Sequence, residues 1–474
     1  MTSATSFREF GHQLIDQLAD HLEAVHRREL PVNRWTPPEA MYDFWKTQLD
    51  HPTDASTFVD RVLEQSIQVH HPAYVGHQVS APVPETALMS LLSALLNNGG
   101  AIYEMGAVST AMERILCERM AAQCGLPDTA GGFLTSGGTL ANLTALLCAR
   151  RHHSPADVWQ RGHDQPLAIL VNEQAHYCVD RAARIMGFGA AGVRKVPATA
   201  NFSMNTDALP AIYAQTRSEG YHVVAVVGSA CTTATGSYDD LSAIADFCGA
   251  HGLWFHVDGA HGGAAVFSQK YRPLVRGIER ANSIVVDGHK MMGAPALTTF
   301  LLFRDEQDSF RTFAQDAQYL WEANERPEWY NLGKRTLECT KLMMSLRLFY
   351  LWQQRGPSFF EQHLNRLYDL GQSFARLVQS HSAFELALPP QTNIVCFRYA
   401  TPVLTEEKLS DLNAQIRQTM LERGSYYLVQ TDLYGTRWLR VTLMNERTTV
   451  ADLEKLLEEL DGVARSLLVA EAKP

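Results

Sequence analysis

The sequence predicts an α/β protein in which a mostly parallel sheet forms a large domain, with a helical arm before it and a small α+β domain after it. Three observations lead there. The chain has 474 residues, more than one hydrophobic core usually serves, so a large domain with at least one smaller companion is expected. From about residue 76 to 345, short runs that are apolar at every position alternate with helix-length segments, the pattern of strands covered on both faces by helices. From 346 to 474 the rhythm shortens to helix, strand, helix, strand, helix, as in a compact α+β unit.

Residues 1–75 are rich in His, Pro and charge, and within 7–27 the residues Leu14, Ile15, Leu18 and Leu22 recur at helical spacing, which marks an arm that packs on something larger. In the large domain, strands are expected at 167–171, 223–227, 253–257, 283–286 and 297–303, with a helix at 241–248. A long helical run is expected at 337–354. Strands at 394–398 and 439–443 then alternate with helices at 405–423 and 450–468.

Hydrophobic residues make up 46% and charged residues 19%, enough apolar material for a large core and too little charge for global disorder. The formal net charge of -10 offers no footprint for a phosphate backbone, so no nucleic-acid partner is expected. Eight cysteines without a CxxC pair read as buried small apolar residues rather than a disulfide framework. Glu9, Asp16 and Asp20 interrupt the N-terminal apolar residues as no secretory signal does, so a cytoplasmic location is expected. The longest apolar stretch, 86–96, falls well short of the roughly 20 residues of a bilayer span, and no membrane association is expected.

The segment Ser283-Ile-Val-Val-Asp-Gly-His-Lys ends a buried strand and presents His289 and Lys290 at its exit. Ligands of open α/β sheets sit at the carboxyl ends of strands. A lysine there, once its charge is displaced, condenses with a carbonyl and is a standard anchor for pyridoxal phosphate. Upstream, Trp254-Phe-His-Val-Asp-Gly-Ala-His carries Asp258 at another strand exit, where a carboxylate keeps a pyridine nitrogen protonated. Earlier still, Phe133-Leu-Thr-Ser-Gly-Gly-Thr-Leu joins an apolar run to a helix through a Gly-Gly turn flanked by hydroxyls, which aims amides and Thr139 at an anion.

In that order, together with His71-Pro72, Tyr103-Glu104, His176 and Thr232-Thr233, these residues resemble the group II pyridoxal phosphate-dependent amino-acid decarboxylases, the family of the glutamate, cysteine-sulfinate and aromatic-L-amino-acid enzymes, over roughly residues 70–445. The resemblance implies fold-type I, the aspartate aminotransferase-like architecture, and a homodimer with shared active sites. It implies that Lys290 attaches the cofactor, that Asp258 meets the pyridine nitrogen, and that His176 and Ala260 flank the ring. It implies that Gly138, Thr139, Thr233 and His289 hold the phosphate. Tyr330 aligns with a lid tyrosine that delivers a proton to the substrate Cα, with Tyr319 as its competitor. Arg440 aligns with the arginine that grips the α-carboxylate, with Arg437 as its competitor, and His77 and Gln78 border the substrate side chain.

The implied reaction is α-decarboxylation of a small acidic amino acid (glutamate, aspartate or cysteine sulfinate) or of 2,4-diaminobutyrate. Aminotransferases and carbon-sulfur or aldehyde lyases of the same fold share Asp258 and Lys290 and stand as the alternative class. A non-catalytic cofactor carrier stands as a third reading, and a metal site at His256, Asp258 and His261 as a fourth. The sequence departs from the family at Leu140, Gly259, His261 and Gly288, and Thr340-Lys341 stands where Gly-Arg is common.

Overall fold

Apolar runs bounded by glycines and polar caps become the strands of two sheets, seen in a computed structural model that describes residues 3–154, 157–313 and 328–471. The chain opens with three amphipathic helices, α1 (Ala4–His26), α2 (Pro38–Asp50) and α3 (Ala55–Gln65). There follow α4 (Glu85–Leu96), α5 (Tyr103–Gln123), β1 (Gly131–Thr135), α6 (Gly138–His153), α7 (Val158–Arg161), β2 (Leu167–Asn172), α8 (Tyr177–Ile185), β3 (Val193–Val196), α9 (Leu209–Ser218) and β4 (His222–Ser229). Then come α10 (Leu241–His251), β5 (Trp254–Asp258), β6 (Ser283–Asp287), β7 (Thr299–Phe303), α11 (Gln307–Phe313) and α12 (Ser345–Ser380), the last broken at Gly356-Pro357. The chain ends with β8 (Phe384–Leu386), β9 (Ile394–Tyr399), α13 (Glu406–Arg423), β10 (Val429–Leu433), β11 (Thr436–Thr442) and α14 (Val450–Glu471).

Two compact units result, one from Pro82–Arg366 and one from Met1–Ala81 with Leu367–Pro474. The first holds a sheet of order β1-β7-β6-β5-β4-β2-β3. From β3 through β6 the pairings are parallel, and β7 runs antiparallel to both β6 and β1. The sheet is therefore the mostly parallel one expected. All residues of β1, β2, β5, β6 and β7 are buried, which is why their runs lack polar alternation. Because β1 and β6 each pair with β7, Thr135 and Asp287 both register with Thr299, and Ser229 registers with Asp258. The carboxyl ends of β1, β4, β5 and β6 thus emerge along one edge.

In the second unit an antiparallel sheet of order β10-β11-β9-β8 packs on α13 and α14. Tyr434 and Gly435, both with positive φ, make the tight β10–β11 turn. The N-terminal segment is stitched in beside this sheet, with Tyr427 N donating to Ala73 O (3.1 Å) and Thr442 N to Val75 O (2.7 Å).

Two differences from the sequence expectation have a visible cause. The helix expected from 337 begins at Ser345, because Lys341 is buried and bonded to Glu113 and to Leu134 O, which holds the preceding residues off a helical path. The strand expected from 297 begins at Thr299, because Thr298 O already accepts from Gly288 N (2.8 Å).

Candidate active site

The edge of the large unit's sheet carries the chemistry. After β1 the chain turns through Gly137, whose φ of 122° favours glycine, into α6. The first turn of α6 directs its amides outward, since intrahelical bonding starts with Ala141 N donating to Gly137 O (3.1 Å). At Gly138 a Cβ would stand 3.2 Å from Asp287 Oδ1 and 3.6 Å from the Ala260 Cβ, so the glycine leaves a concave cradle between three strand exits. Thr139 is exposed beside it, and Thr233 is half-buried in the turn after β4.

Lys290 leaves β6 with its Nζ 3.1 Å from Asp287 Oδ2. Burial would strip its charge, but the Asp287 and Asp258 carboxylates outweigh burial and hold the ammonium above the ordinary lysine range. Asp287, 2% exposed, also accepts from Thr299 Oγ1 (2.5 Å) and lies 3.6 Å from His289 Nε2. His289 is fixed by Thr298 N, which donates to its Nδ1 (3.2 Å). Asp258, at the end of β5, accepts from Ala260 N at 3.2 Å. His176 caps α8, its Nδ1 accepting from Cys178 N (3.3 Å). Burial lowers the His176 pKa and Lys290 adds to that, while Asp258 and Asp287 oppose it; the net shift is downward, so the ring is neutral at neutral pH.

Behind this edge runs a buried polar chain that sequence reasoning missed. Trp254 Nε1 donates to Ser283 Oγ (2.8 Å), which lies 2.8 Å from His256 Nδ1, and His256 Nε2 lies 2.7 Å from Asn142 Oδ1. Asn142 Nδ2 in turn donates to Cys178 Sγ at 3.4 Å. Both nitrogens of His256 are thus taken by protein partners. Asp287 lies inside the Ser283 to Lys290 segment, one residue past the strand expected at 283–286, and the structure makes it the last residue of β6. Asn142 carries no signal, being one of several polar residues on α6, among them Thr139 and Thr144.

Glu328, Trp329 and Tyr330 form a turn in which the buried Glu328 accepts from Lys334 Nζ (2.7 Å) and from Asn331 Nδ2 (2.6 Å). Tyr330 sets its ring edge-on to Tyr103, 5.6 Å between centroids. Tyr319 and residues 324–327, which precede Tyr330, lie outside the described residues.

His77, Gln78 and Arg440 belong to the smaller unit. Arg440 is 6% exposed in the middle of β11, between Val429 and Cys396 in register, whereas Arg437 is half-buried and pairs with Asp432 at 3.3 Å. The His77 ring lies 5.9 Å from that of Tyr427, and burial, Arg440 and Arg417, in that order, push its pKa down. Gln78 is half-buried.

The large unit thus assembles what a phosphate-bearing pyridine aldehyde needs: a glycine cradle at a helix N-terminus, a carboxylate and a lysine at adjacent strand exits, and an imidazole that feels the charge of both. That is the equipment of a pyridoxal phosphate enzyme of fold-type I. The chain belongs to the pyridoxal-dependent decarboxylase family, whose conserved domain it matches over residues 55–400. It is a pyridoxal phosphate-dependent carboxy-lyase that acts on an amino acid, which sets aside the aminotransferase, other-lyase and carrier readings.

Cysteine sulfinic acid decarboxylase of Homo sapiens is 28% identical over 457 residues, 92% of each chain. An acidic amino acid decarboxylase of Mus musculus is 27% identical over 453 residues, covering 92% of this chain and 82% of that one. Among solved structures, the glutamate decarboxylase domain of diaminobutyrate-pyruvate transaminase and L-2,4-diaminobutyrate decarboxylase from Vibrio parahaemolyticus superposes with a TM-score of 0.85 at 26% identity, over 98% of this chain and 97% of that one.

Proposed function

We propose that the enzyme removes the α-carboxylate of a small acidic amino acid, glutamate, aspartate or cysteine sulfinate, releasing CO₂ and the amine. The observation that carries the site reading is Lys290 at the β6 exit, one strand from Asp258 and next to the Gly138 cradle. The names of the human and mouse relatives support an acidic substrate. The Vibrio structure favours 2,4-diaminobutyrate as the second reading.

Bound pyridoxal phosphate supplies a protonated ring that accepts the electrons released at Cα. The chain's residues do the rest. Gly138, Thr139, Thr233 and His289 bind the phosphate, and Asp258 holds the proton on the pyridine nitrogen. His176 and Ala260 would confine the ring from its two faces. Lys290 would supply the amine that attaches the cofactor. Arg440 binds the α-carboxylate, His77 and Gln78 select the side chain, and Tyr330 carries a proton to Cα.

The working form is a homodimer in the cytoplasm. Phe7 and Phe10 on α1, Leu91 and Leu95 on α4, and Met105 and Val108 on α5 expose apolar surface that a second copy would cover. All eight cysteines are free, as a reducing compartment keeps them.

Incubating the enzyme with the standard amino acids, cysteine sulfinate and 2,4-diaminobutyrate and measuring CO₂ release identifies the substrate; release from none of the acidic ones overturns the first reading. Lys290→Ala should abolish both turnover and the borohydride-reducible cofactor adduct. An adduct that survived in this variant would refute the attachment site.

A further inference from the structure

We propose that Asp287 is a catalytic residue: it takes the proton from Lys290 Nζ when that nitrogen bonds to the cofactor's aldehyde carbon, and delivers it to the oxygen that leaves as water. The inference rests on the reading of Lys290 as the attachment site. Its ground is geometry. The carboxylate lies 3.1 Å from the reacting Nζ, is buried to 2% exposure, and is oriented by Thr299 Oγ1 at 2.5 Å. Its oxygens also form the floor under Gly138, 3.2 and 3.4 Å from where a Cβ would be. A base at this spot touches both the amine that must lose a proton and the cradle that receives the phosphate.

The atoms balance without any further reagent. An ammonium cannot attack a carbonyl, so Nζ first gives one proton to Asp287. The N–C bond then forms as the carbonyl π electrons move to oxygen. That oxygen receives the proton from Asp287 and a second from nitrogen and departs as water, leaving the carboxylate ionised again. When the substrate amine displaces Lys290, Asp287 takes a proton from that amine and passes it to the departing Nζ.

Four groups around Nζ bear on its charge. Asp287 faces it from its own turn, Asp258 from β5, Cys231 from the turn after β4, and His176 from the start of α8. His289 faces Asp287 at 3.6 Å. With two carboxylates around it, Lys290 is held as the ammonium before the cofactor arrives, so a local proton acceptor is needed at neutral pH.

The test follows cofactor capture by the cofactor-free protein, as absorbance and as borohydride-fixed mass, against pH. In the wild type the rate rises with pH to a plateau. Asp287→Asn should move the midpoint down by about one unit or more, because the ammonium loses its nearest counter-charge, and lower the plateau by about 10²-fold, because the proton relay is gone. Thr299→Val leaves the carboxylate with one donor fewer, so its charge falls more fully on Lys290; the midpoint should rise, and the plateau should fall less than in Asp287→Asn. A loosened fold would move both variants in the same direction. Overlaid Asp287→Asn and wild-type profiles, or a Thr299→Val midpoint that falls or stays, overturn the proposal, and Thr299→Val decides alone if Asp287→Asn does not fold. Lys290→Ala, run in parallel, separates the two readings. A reducible adduct on that variant defeats the attachment site, whereas overlaid profiles with no such adduct defeat Asp287 only.

Discussion

Asn142 and His256 meet inside the large unit, Oδ1 to Nε2 at 2.7 Å, and the contact fixes where the imidazole keeps its proton. Asn142 turns its amide nitrogen to Cys178 Sγ, so it offers His256 an acceptor, and Nε2 must donate. Nδ1 is then a lone pair that takes the Ser283 hydroxyl proton, and Ser283 in turn accepts from Trp254. One directional chain ties the helix behind the phosphate turn to the two strands that end in Asp258 and Asp287.

His256 is fully buried, and burial pushes its pKa down to about 4, with Asp258 opposing the shift. Its neutral form therefore stabilises the fold fully above pH 6.5, and that contribution is lost progressively as pH falls from 6.5 toward 4, about 3 kcal/mol in all. His256→Leu should cost about 2–4 kcal/mol at pH 7, since Asn142 Oδ1 and the Ser283 hydroxyl lose their partner. Its unfolding free energy should also lack this acid-dependent loss. Urea unfolding of both proteins at pH 7 and pH 5 measures the effect, and equal pH slopes would refute it.

Lys341, the residue that departs from the family's arginine, is buried with Glu113 and bonds to it while also donating to Leu134 O at 2.8 Å. Glu113 Oε1 accepts from Leu134 N (3.0 Å), so the pair grips β1 one residue before Thr135 and the phosphate turn. Lys341→Met should cost about 3–5 kcal/mol by leaving a buried carboxylate without its cation, and adding Glu113→Gln should recover most of the loss. Urea midpoints of the single and double variants check this. A double variant no more stable than Lys341→Met would mean that the charge is not what matters.

Strands that are buried on both faces were legible because nothing polar can interrupt them, and the same feature made Asp258 and Lys290 conspicuous as the first charges beyond apolar runs. Contacts between distant segments left no such mark. Asn142 and Ser283 are polar residues whose partners lie 114 and 27 positions away from them along the chain, at His256. Lys341 is visible in the sequence only as a substitution, and the helix expected around it does not form because a buried charge bonded to Glu113 and Leu134 O outweighs helical periodicity.

Tyr330 offers the sharpest separation of structure from chemistry. Its ring packs edge-on against Tyr103 and against Trp329 (5.7 Å), and the turn that carries it is anchored by Glu328 to Lys334 and by Tyr103 N donating to Asn331 Oδ1 at 3.0 Å. None of these contacts uses the hydroxyl, so Tyr330→Phe removes the acid and keeps the packing. If Tyr330 protonates Cα, the variant should capture the cofactor like wild type, lose roughly 10²- to 10⁴-fold in turnover, and divert part of its product from the amine to a carbonyl compound. Steady-state CO₂ release with product analysis reads all three. Full activity in Tyr330→Phe alongside an inactive Tyr319→Phe would move the proton to Tyr319, because a hydroxyl that is dispensable for both packing and rate has no part in the reaction.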